Sequence, residues 1–190
     1  MTADLDRLRT DDNAWDAFVG GTDTDFPLQM SAWAAAKAPY GWTSERVVAA
    51  GGSGLIGGQL LIRSLGPGPF AMGYAPRGPV ATVFDQASLD AWTEAVRKVA
   101  RSKRLTHVTV DPGLEGTGHH PLFAAAGWEP ADVVQLTSTQ IIDLSLTEEE
   151  LWHDVYRSSR RYANGARKKG CHAVSYTHLT LPTIVRECRS

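Results

Sequence analysis

Asp111 is the residue whose type and position best suit proton-transfer chemistry. It follows the β-branched run 106–110, which predicts a strand, and Pro112 comes directly after it. Open α/β sheets bind ligands at the carboxyl ends of their strands, and a carboxylate there can accept a proton from an attacking amine. A turn aspartate that bonds its own backbone is the alternative, which the residues alone favour.

A run of bases between 157 and 169, with no acid in it, is the second group capable of chemistry. Such a basic helix face either is simply solvated or contacts phosphates, such as a pyrophosphate or an RNA backbone. The aromatic residues among these bases fit a core stripe and a nucleic-acid surface equally well, so both interpretations stay open. The bases are Arg157, Arg160, Arg161, Arg167, Lys168 and Lys169.

Three common kinds of site are disfavoured by the residues. Residues 52–57 match G-x-G-x-x-G, but the strand-like residues 59–63 follow where a dinucleotide site needs a helix, so a hairpin is predicted. The six histidines lack metal-ligand spacing, and the neighbours His119 and His120 would point apart on a strand. No G-x-S-x-G nucleophile elbow occurs. Because the histidines lack metal-ligand spacing, we expect no metal site.

Helices and strands must position these residues. Apolar residues at three- and four-residue spacing after Asp85 or Ser88 predict the clearest helix, and Ser31 is expected to cap another. A capping box at 147–150 predicts a helix that could run to residue 169. Other elements are expected as helices near 11–19, at 32–38 and at 121–126, and as strands at 46–50, 55–63, 70–74, 106–110 and 133–144.

The order of these elements indicates an α/β (α+β) domain, a mixed sheet with flanking helices, that ends near residue 146. The composition is globular, since 43% of the residues are hydrophobic and 21% are charged. No apolar stretch approaches the roughly 18 residues of a membrane span, and the acidic opening resembles no secretion leader. Two cysteines suit a reducing cytoplasm.

Charge and pattern divide the chain into three parts. The formal net charge is −2, but residues 1–146 carry an excess of acids and residues 147–174 an excess of bases. Residues 175–190 continue neither pattern and resemble translated sequencing-adaptor DNA. We interpret them as a non-native tail, and a native disordered tail is the alternative.

Segments in three parts of the chain resemble one family. Residues 26–33, with Lys37 and Trp42 after them, are similar to its opening, and Tyr-Ala-Pro-Arg-Gly-Pro-Val at 74–80 is similar to its Tyr-x-x-(Arg/Lys)-Gly-Pro-Val segment. Residues 151–170 resemble the basic helix that opens its second half. Because order and spacing agree, the chain is identified as a member of the Fem family (FemA, FemB, FemX) of peptidoglycan bridge-forming aminoacyltransferases.

The resemblance implies two GNAT-like (acyl-CoA N-acyltransferase-like) domains, of which this chain would hold the first at 1–146 and the basic entry helix of a missing second at 147–174. It implies transfer of an amino acid from aminoacyl-tRNA to the stem-peptide amine of a peptidoglycan precursor, lipid II or a nucleotide-linked form. Attack of an amine on an ester needs no metal or redox group, so no cofactor is expected. We expect the fragment to be inactive, and the parent to be cytoplasmic, with peripheral contact at the inner face of the membrane.

The family's motifs also imply roles for single residues. Lys37 would bind phosphate or carboxylate groups of the precursor, and Trp42 and Tyr74 would line the same cleft. Arg77 would either contact the precursor or brace its own loop. Asp111 matches the position of a catalytic base, although the substrate could instead relay its own proton.

Two other functions compete with this one. The first is an acyl-CoA-dependent N-acyltransferase of GNAT type, which needs a glycine-rich pyrophosphate loop before a helix. No such loop occurs in this chain, and a missing half could carry it. The second is a non-catalytic module that binds RNA or an anionic membrane surface through its basic helix.

Overall fold

The computed structural model describes residues 2–22, 27–52, 54–114, 118–135 and 142–171. Seven helices and five strands form in these ranges. The helices are α1 (Thr2–Thr10), α2 (Asp12–Gly20), α3 (Ser31–Lys37), α4 (Gln86–Ser102), α5 (His120–Ala125), α6 (Glu148–Asp154) and α7 (Arg157–Lys168), and the strands are β1 (Trp42–Gly51), β2 (Gly54–Ser64), β3 (Ala71–Arg77), β4 (Val80–Ala81) and β5 (Leu105–Pro112). Short 3-10 turns flank α3 at Pro27–Gln29 and Ala38–Tyr40. The chain divides into two compact units, Met1–Thr137 and Ser138–Ser190.

The first unit is built on a mixed sheet with the strand order β1-β2-β3-β5, and β4 pairs with β2. All neighbours are antiparallel except β3 and β5, which run parallel. The β1–β2 hairpin closes with Gly51 opposite Gly54, so the hairpin predicted for the G-x-G-x-x-G match is confirmed. The predicted mixed sheet with flanking helices is also confirmed, and the short strand β4 is an addition to the prediction.

Helices cover both faces of this sheet. Leu89, Trp92 and Val96 of α4 are buried against one face, together with Ile56 and Leu60 of β2. A smaller cluster on the other face includes Trp15 and Val19 of α2 and the strand residues Val48 and Val80. Neighbouring residues of a strand point to opposite faces, so each strand of the sheet lies between the two clusters.

Two adjacent glycines of β2 allow two tryptophans to pack on opposite sides of the strand. A Cβ atom on Gly57 would lie 3.0 Å from the Trp15 ring, and one on Gly58 would lie 2.7 Å from the Trp92 ring. Both indoles are fully buried and donate to backbone oxygens, Trp15 to Gln29 at 2.6 Å and Trp92 to Val47 at 2.9 Å. The glycines therefore serve packing at this point.

The starts of α2 and α4 are capped by aspartate side chains. Asp11 caps α2 and Asp85 caps α4, each through side-chain acceptance of backbone N–H groups. The prediction that Ser31 caps the next helix is wrong, because Met30 holds that position without a side-chain bond. The Ser31 hydroxyl and amide donate instead to the Asp16 carboxylate, at 2.5 and 2.7 Å.

The second unit contains α6 and α7 where one continuous helix is predicted. The capping box of Thr147 and Glu150 opens α6 as expected, but Val155 and Tyr156 are extended and end it. Arg160 stabilises this break, since its guanidinium donates to the carbonyl oxygens of His153 at 2.9 Å and Trp152 at 3.4 Å. Two of the carbonyls that the end of α6 leaves free are thereby bonded.

The strand predicted across 133–144 is wrong where the structure describes it, since 133–135 and 142–144 are irregular. Val133 and Leu144 are 71% and 82% exposed, so their apolar character is not matched by packing or strand pairing in the described chain. Residues 136–141 and the predicted tail 175–190 lie outside the described residues. The predicted domain boundaries at 146 and 174 stay predictions.

Candidate functional site

The candidate site lies at the carboxyl ends of the parallel strands β3 and β5. The register pairs Tyr74 with Thr109 and Pro76 with Asp111. Because side chains alternate along a strand, Tyr74 and Asp111 belong to the same face of the sheet. The predicted position of Asp111 at a strand end is confirmed, and this edge is where open sheets bind ligands.

Tyr74 is half-buried, and its hydroxyl oxygen accepts a hydrogen bond of 3.0 Å from Nε2 of Gln135. Burial raises the pKa of the phenol above its ordinary value of 10.0, and the negative charge of Asp111 acts in the same direction. The hydrogen bond from Gln135 and the charge of Arg77 lower that pKa, but by less than burial raises it. The phenol is therefore held neutral, close to a carboxylate and a guanidinium.

Asp111 presents an acceptor that the described part of the protein does not use. Its Oδ2 is buried, and no donor among the described residues bonds it. Leaving a buried carboxylate oxygen unbonded costs free energy, and such exceptions in a folded protein call for an explanation. A donor brought by a substrate, such as an amine N–H, would satisfy this oxygen.

Arg77 stands at the end of β3 in a left-handed conformation, with a φ of 54°. The next residue, Gly78, packs so closely on Gln29 that a Cβ atom there would lie 2.7 Å from the Gln29 amide nitrogen. That nitrogen donates to the Pro76 oxygen at 2.7 Å. The buried Gln29 amide thus holds the segment 76–78 in place. The charge of Arg77 lowers the pKa of Tyr74.

Lys37 and Trp42 occupy other places. The Lys37 ammonium lies 4.5 Å from the centre of the Trp33 ring, so these residues share one face of α3. Trp42 opens β1 opposite Arg63, whose guanidinium lies 5.4 Å from the Trp42 ring centre. Within the described ranges, no hydrogen bond or ion pair joins either residue to the tyrosine and aspartate of β3 and β5.

The structure therefore brings three of the five predicted site residues together, namely Tyr74, Arg77 and Asp111. The register of β1, β2 and β3 puts Trp42 on the same sheet face as Tyr74, whereas Lys37 belongs to α3. One further polar group, the amide of Gln135, was missed. The only signal for it in the sequence is a glutamine within an apolar, β-branched run.

The histidines behave differently from the prediction. His119 and His120 stand at the start of α5 rather than on a strand, and their rings meet edge-on with centres 4.8 Å apart. Burial lowers the pKa of His119, and the neighbouring His120 lowers it further. Within the part of the chain described here, no three His, Cys, Asp or Glu side chains gather as a metal site would require.

The helices of the protein are short or polar. None of those in the described ranges combines the length and apolar content of a membrane-spanning segment.

The model of the FemAB family matches residues 10–121, which is more than half of the chain. The protein belongs to the FemAB family, and the resemblance found in its sequence is confirmed. The match includes α2, α3 and all five strands, and therefore every predicted site residue.

Among curated relatives, the lipid II:glycine glycyltransferase of Staphylococcus haemolyticus (strain JCSC1435) is 28% identical over 179 residues, covering 87% of this chain and 42% of that protein. The enzyme of the same name from Staphylococcus aureus (strain MRSA252) is 26% identical, with the same coverage. A solved structure described as the crystal structure of FemX matches with a TM-score of 0.63 at 22% identity, over 83% of this chain and 42% of that one. The chain thus spans less than half the length of these relatives, and the structural match shows a shared fold.

Proposed function

We propose that this chain is part of an aminoacyltransferase that moves an amino acid from aminoacyl-tRNA to the stem-peptide amine of a peptidoglycan precursor. Membership of the FemAB family and the similarity to lipid II:glycine glycyltransferases support this activity. The observation that carries it is the buried, unbonded Oδ2 of Asp111 beside the neutral phenol of Tyr74. The acceptor is lipid II or a nucleotide-linked precursor.

The proposed chemistry needs a proton acceptor next to the attacking amine. The amine nitrogen attacks the ester carbonyl carbon, a C–N bond forms, and the C–O bond to the donor breaks. The proton lost by the nitrogen goes to Asp111 and then to the departing oxygen, so that atoms and charge balance. A base of this kind contributes about 10²–10⁴-fold to the rate.

The other candidate residues would hold the precursor. Lys37 carries an ammonium on the face of Trp33, which suits phosphate or carboxylate groups of the precursor. Trp42, on the same sheet face as Tyr74, would line the cleft with it, and Arg77 would meet an anionic group of the precursor beside that phenol. These roles rest on the family's motifs. The shared sheet face of Trp42 and Tyr74 supports the cleft, whereas the role of Lys37 rests on the motif alone.

We further propose that the 190-residue chain is inactive alone. It spans only 42% of the relatives' length, and in our proposal the remainder supplies other precursor contacts and the surface that receives the tRNA. The parent protein would work in the cytoplasm, with peripheral contact at the inner face of the membrane, where lipid-linked precursors are available.

The test is a transfer assay on the longer chain read from the genomic DNA beyond codon 174. We expect transfer of labelled amino acid from aminoacyl-tRNA to the precursor, and none with the 190-residue chain. Asp111→Asn should lower kcat by about 100-fold or more. Asp90→Asn, a change of the same kind at an exposed position on α4, is the control. Wild-type kcat in Asp111→Asn would show that the substrate relays its own proton.

The same longer chain distinguishes the rival acyltransferase. An acyl-CoA-dependent enzyme would bind acetyl-CoA tightly and acylate an amine from it without tRNA. Transfer from acetyl-CoA in place of aminoacyl-tRNA would contradict our proposal.

A non-catalytic RNA-binding module is the second candidate, and the exposure of α7 favours it. Tyr156 and Tyr162 are each 78% exposed, and most bases of this helix are exposed beside them. Such a surface binds polyanions with a strong dependence on salt. Tight, salt-dependent tRNA binding by the longer chain, without any transfer, would favour this function over ours.

A further inference from the structure

Gln135 stands out in an otherwise exposed stretch of chain. The four residues before it are exposed, with Val133 at 71% and Val134 at 58%. The Gln135 side chain instead turns inward and is half-buried, and its Nε2 lies 3.0 Å from the Tyr74 hydroxyl oxygen. This contact joins residues 61 positions apart, so it fixes the irregular segment to β3 at the candidate site.

The direction of this hydrogen bond decides what the phenol can still do. The amide nitrogen of Gln135 is the donor and the Tyr74 oxygen is the acceptor. The hydrogen of the phenol is not used in that bond, and within the described residues no other hydrogen bond engages it. A donor bonded to the phenol oxygen also polarises the O–H group, which strengthens it as a donor. Tyr74 is therefore ready to donate to a ligand.

Asp111 supplies the complementary group. Its buried Oδ2 is an acceptor without a donor in the described protein, and it lies on the same sheet face as Tyr74. One edge of the sheet thus offers a free donor and a free acceptor side by side. An amine that attacks a carbonyl carbon forms the matching pair of groups. The amine N–H can donate to the carboxylate, and the carbonyl oxygen, which gains negative charge, can accept from the phenol.

We propose that Gln135 is a positioning residue, whose amide holds the Tyr74 phenol so that its hydrogen is donated to the carbonyl oxygen of the substrate. Asp111 meanwhile accepts the proton of the attacking amine. This inference rests on the proposed function. The alternative is that Gln135 only ties the segment 131–135 to the sheet, without effect on the proton of Tyr74.

The first experiment measures the titration of Tyr74 in the 190-residue chain. The protein is labelled with 3-fluorotyrosine, whose lower phenol pKa brings the titration into a milder pH range, and 19F NMR follows each tyrosine. Tyr74→Phe assigns the signal. We expect Gln135→Leu to raise the pKa of Tyr74, because the phenolate loses a donor. Gln135→Glu should raise it more, because a carboxylate would face the phenolate.

The matched control is Gln86→Glu, which introduces the same charge on α4, where the amide bonds Asp90 and Leu122. It should leave the titration of Tyr74 unchanged. The inference is overturned if Gln135→Leu and Gln135→Glu both titrate like the wild type at Tyr74. Far-UV circular dichroism checks that each variant is folded, and Gln135→Glu, which keeps the size of the side chain, replaces Gln135→Leu if that variant fails.

The second experiment measures transfer by the longer chain. Gln135→Leu should lower kcat about tenfold with little change in KM, since the lost interaction acts in the transition state. In Gln135→Glu the new carboxylate accepts the phenol hydrogen itself, so the decrease in kcat should equal the decrease in Tyr74→Phe. If the wild type transfers the amino acid and the Gln135 variants keep full kcat, the positioning role of Gln135 is contradicted and the proposed function stands. If no transfer occurs while the titrations move as expected, the proposed function fails and the orientation of Tyr74 stands.

Discussion

The middle of β2 and the carboxyl edge of β3 and β5 belong to the same sheet but differ in how tightly their side chains are packed. At the middle, Trp15 and Trp92 are fully buried, and each indole N–H reaches a backbone oxygen. At the edge, Tyr74 and Asp111 are only partly buried, and the aspartate keeps an unbonded oxygen. An unbonded oxygen also occurs in the first region, at Oε1 of Gln59, but that oxygen belongs to a neutral amide, whereas the one at the edge belongs to a carboxylate.

This difference indicates what each region is for. A packed strand between two indoles tolerates almost no change of volume, because protein interiors are filled to crystal-like density. An unbonded carboxylate oxygen is a cost to folding that a bound ligand removes. Substitutions in the first region should therefore change the free energy of unfolding, and substitutions in the second should change binding and rate. For stability, the largest losses are therefore expected in the middle of β2, and only a small, pH-dependent effect is expected at Tyr74.

The largest effect is expected for Trp92→Ala. This change empties the space beside Gly58 and leaves the Val47 oxygen without its donor, so the free energy of unfolding should fall by about 3–5 kcal/mol. Urea denaturation followed by circular dichroism measures it. Trp152→Ala, at a position 39% exposed, is the control and should cost far less. Equal losses at both positions would mean that the burial of Trp92 beside Gly58 adds no stability.

A smaller loss is expected for Gly58→Ala. The new Cβ atom would lie 2.7 Å from the Trp92 ring, so the ring or the strand must shift, at a cost of about 1–3 kcal/mol. Gly68→Ala is the matched control, since nothing lies within 4 Å of a Cβ atom there. The same denaturation experiment compares the two. A Gly58→Ala protein as stable as the control would show that the strand is not tightly held.

The smallest effect is expected for Tyr74→Phe in alkaline solution. Burial raises the pKa of this phenol, so the folded state holds its proton more tightly than the unfolded state does. The resulting stabilisation is complete below the ordinary pKa of 10.0 and is lost as the pH rises through the raised value. The melting temperature should therefore fall less steeply with alkaline pH in Tyr74→Phe than in the wild type.

The control for this pH dependence is Tyr162→Phe, at a tyrosine that is 78% exposed. Its melting temperature should follow the wild-type curve. Identical alkaline curves for Tyr74→Phe and the wild type would mean that the folded protein does not hold the proton of Tyr74 more tightly.

Local features of the fold could be predicted from the sequence. Asp85 caps α4 through its own side chain, and the β1–β2 hairpin follows from glycines between two apolar runs. The position of Asp111 at the end of a strand was predicted correctly, because the β-branched run before it and Pro112 after it are also local signals. The single helix predicted after Thr147 was wrong, because the chain is extended at Val155 and Tyr156. Arg160 reaches back across this break to the carbonyl of His153, a contact that the capping box and the basic run do not indicate.

The amides of the site could not be predicted in the same way. Gln29 bonds the oxygen of Pro76, 47 residues away, and Gln135 bonds Tyr74 across 61 residues. Glutamine is mostly an exposed residue, so nothing in its neighbours along the chain marks it as buried. Only the folded register brings these donors to their acceptors, and Gln135 was missed for that reason.

The contact between Gly58 and the Trp92 ring also limits how this fold can change over generations. Neither residue can be replaced alone without a clash or a void, so the two positions should vary as a pair. A homologue with alanine or serine at position 58 is expected to carry a smaller side chain at position 92. Combined with Gly58→Ala, a Trp92→Leu substitution should cost less than the sum of the two single changes, because each partly compensates the other. Linked substitutions are therefore expected at positions 58 and 92, which lie 34 residues apart in the sequence.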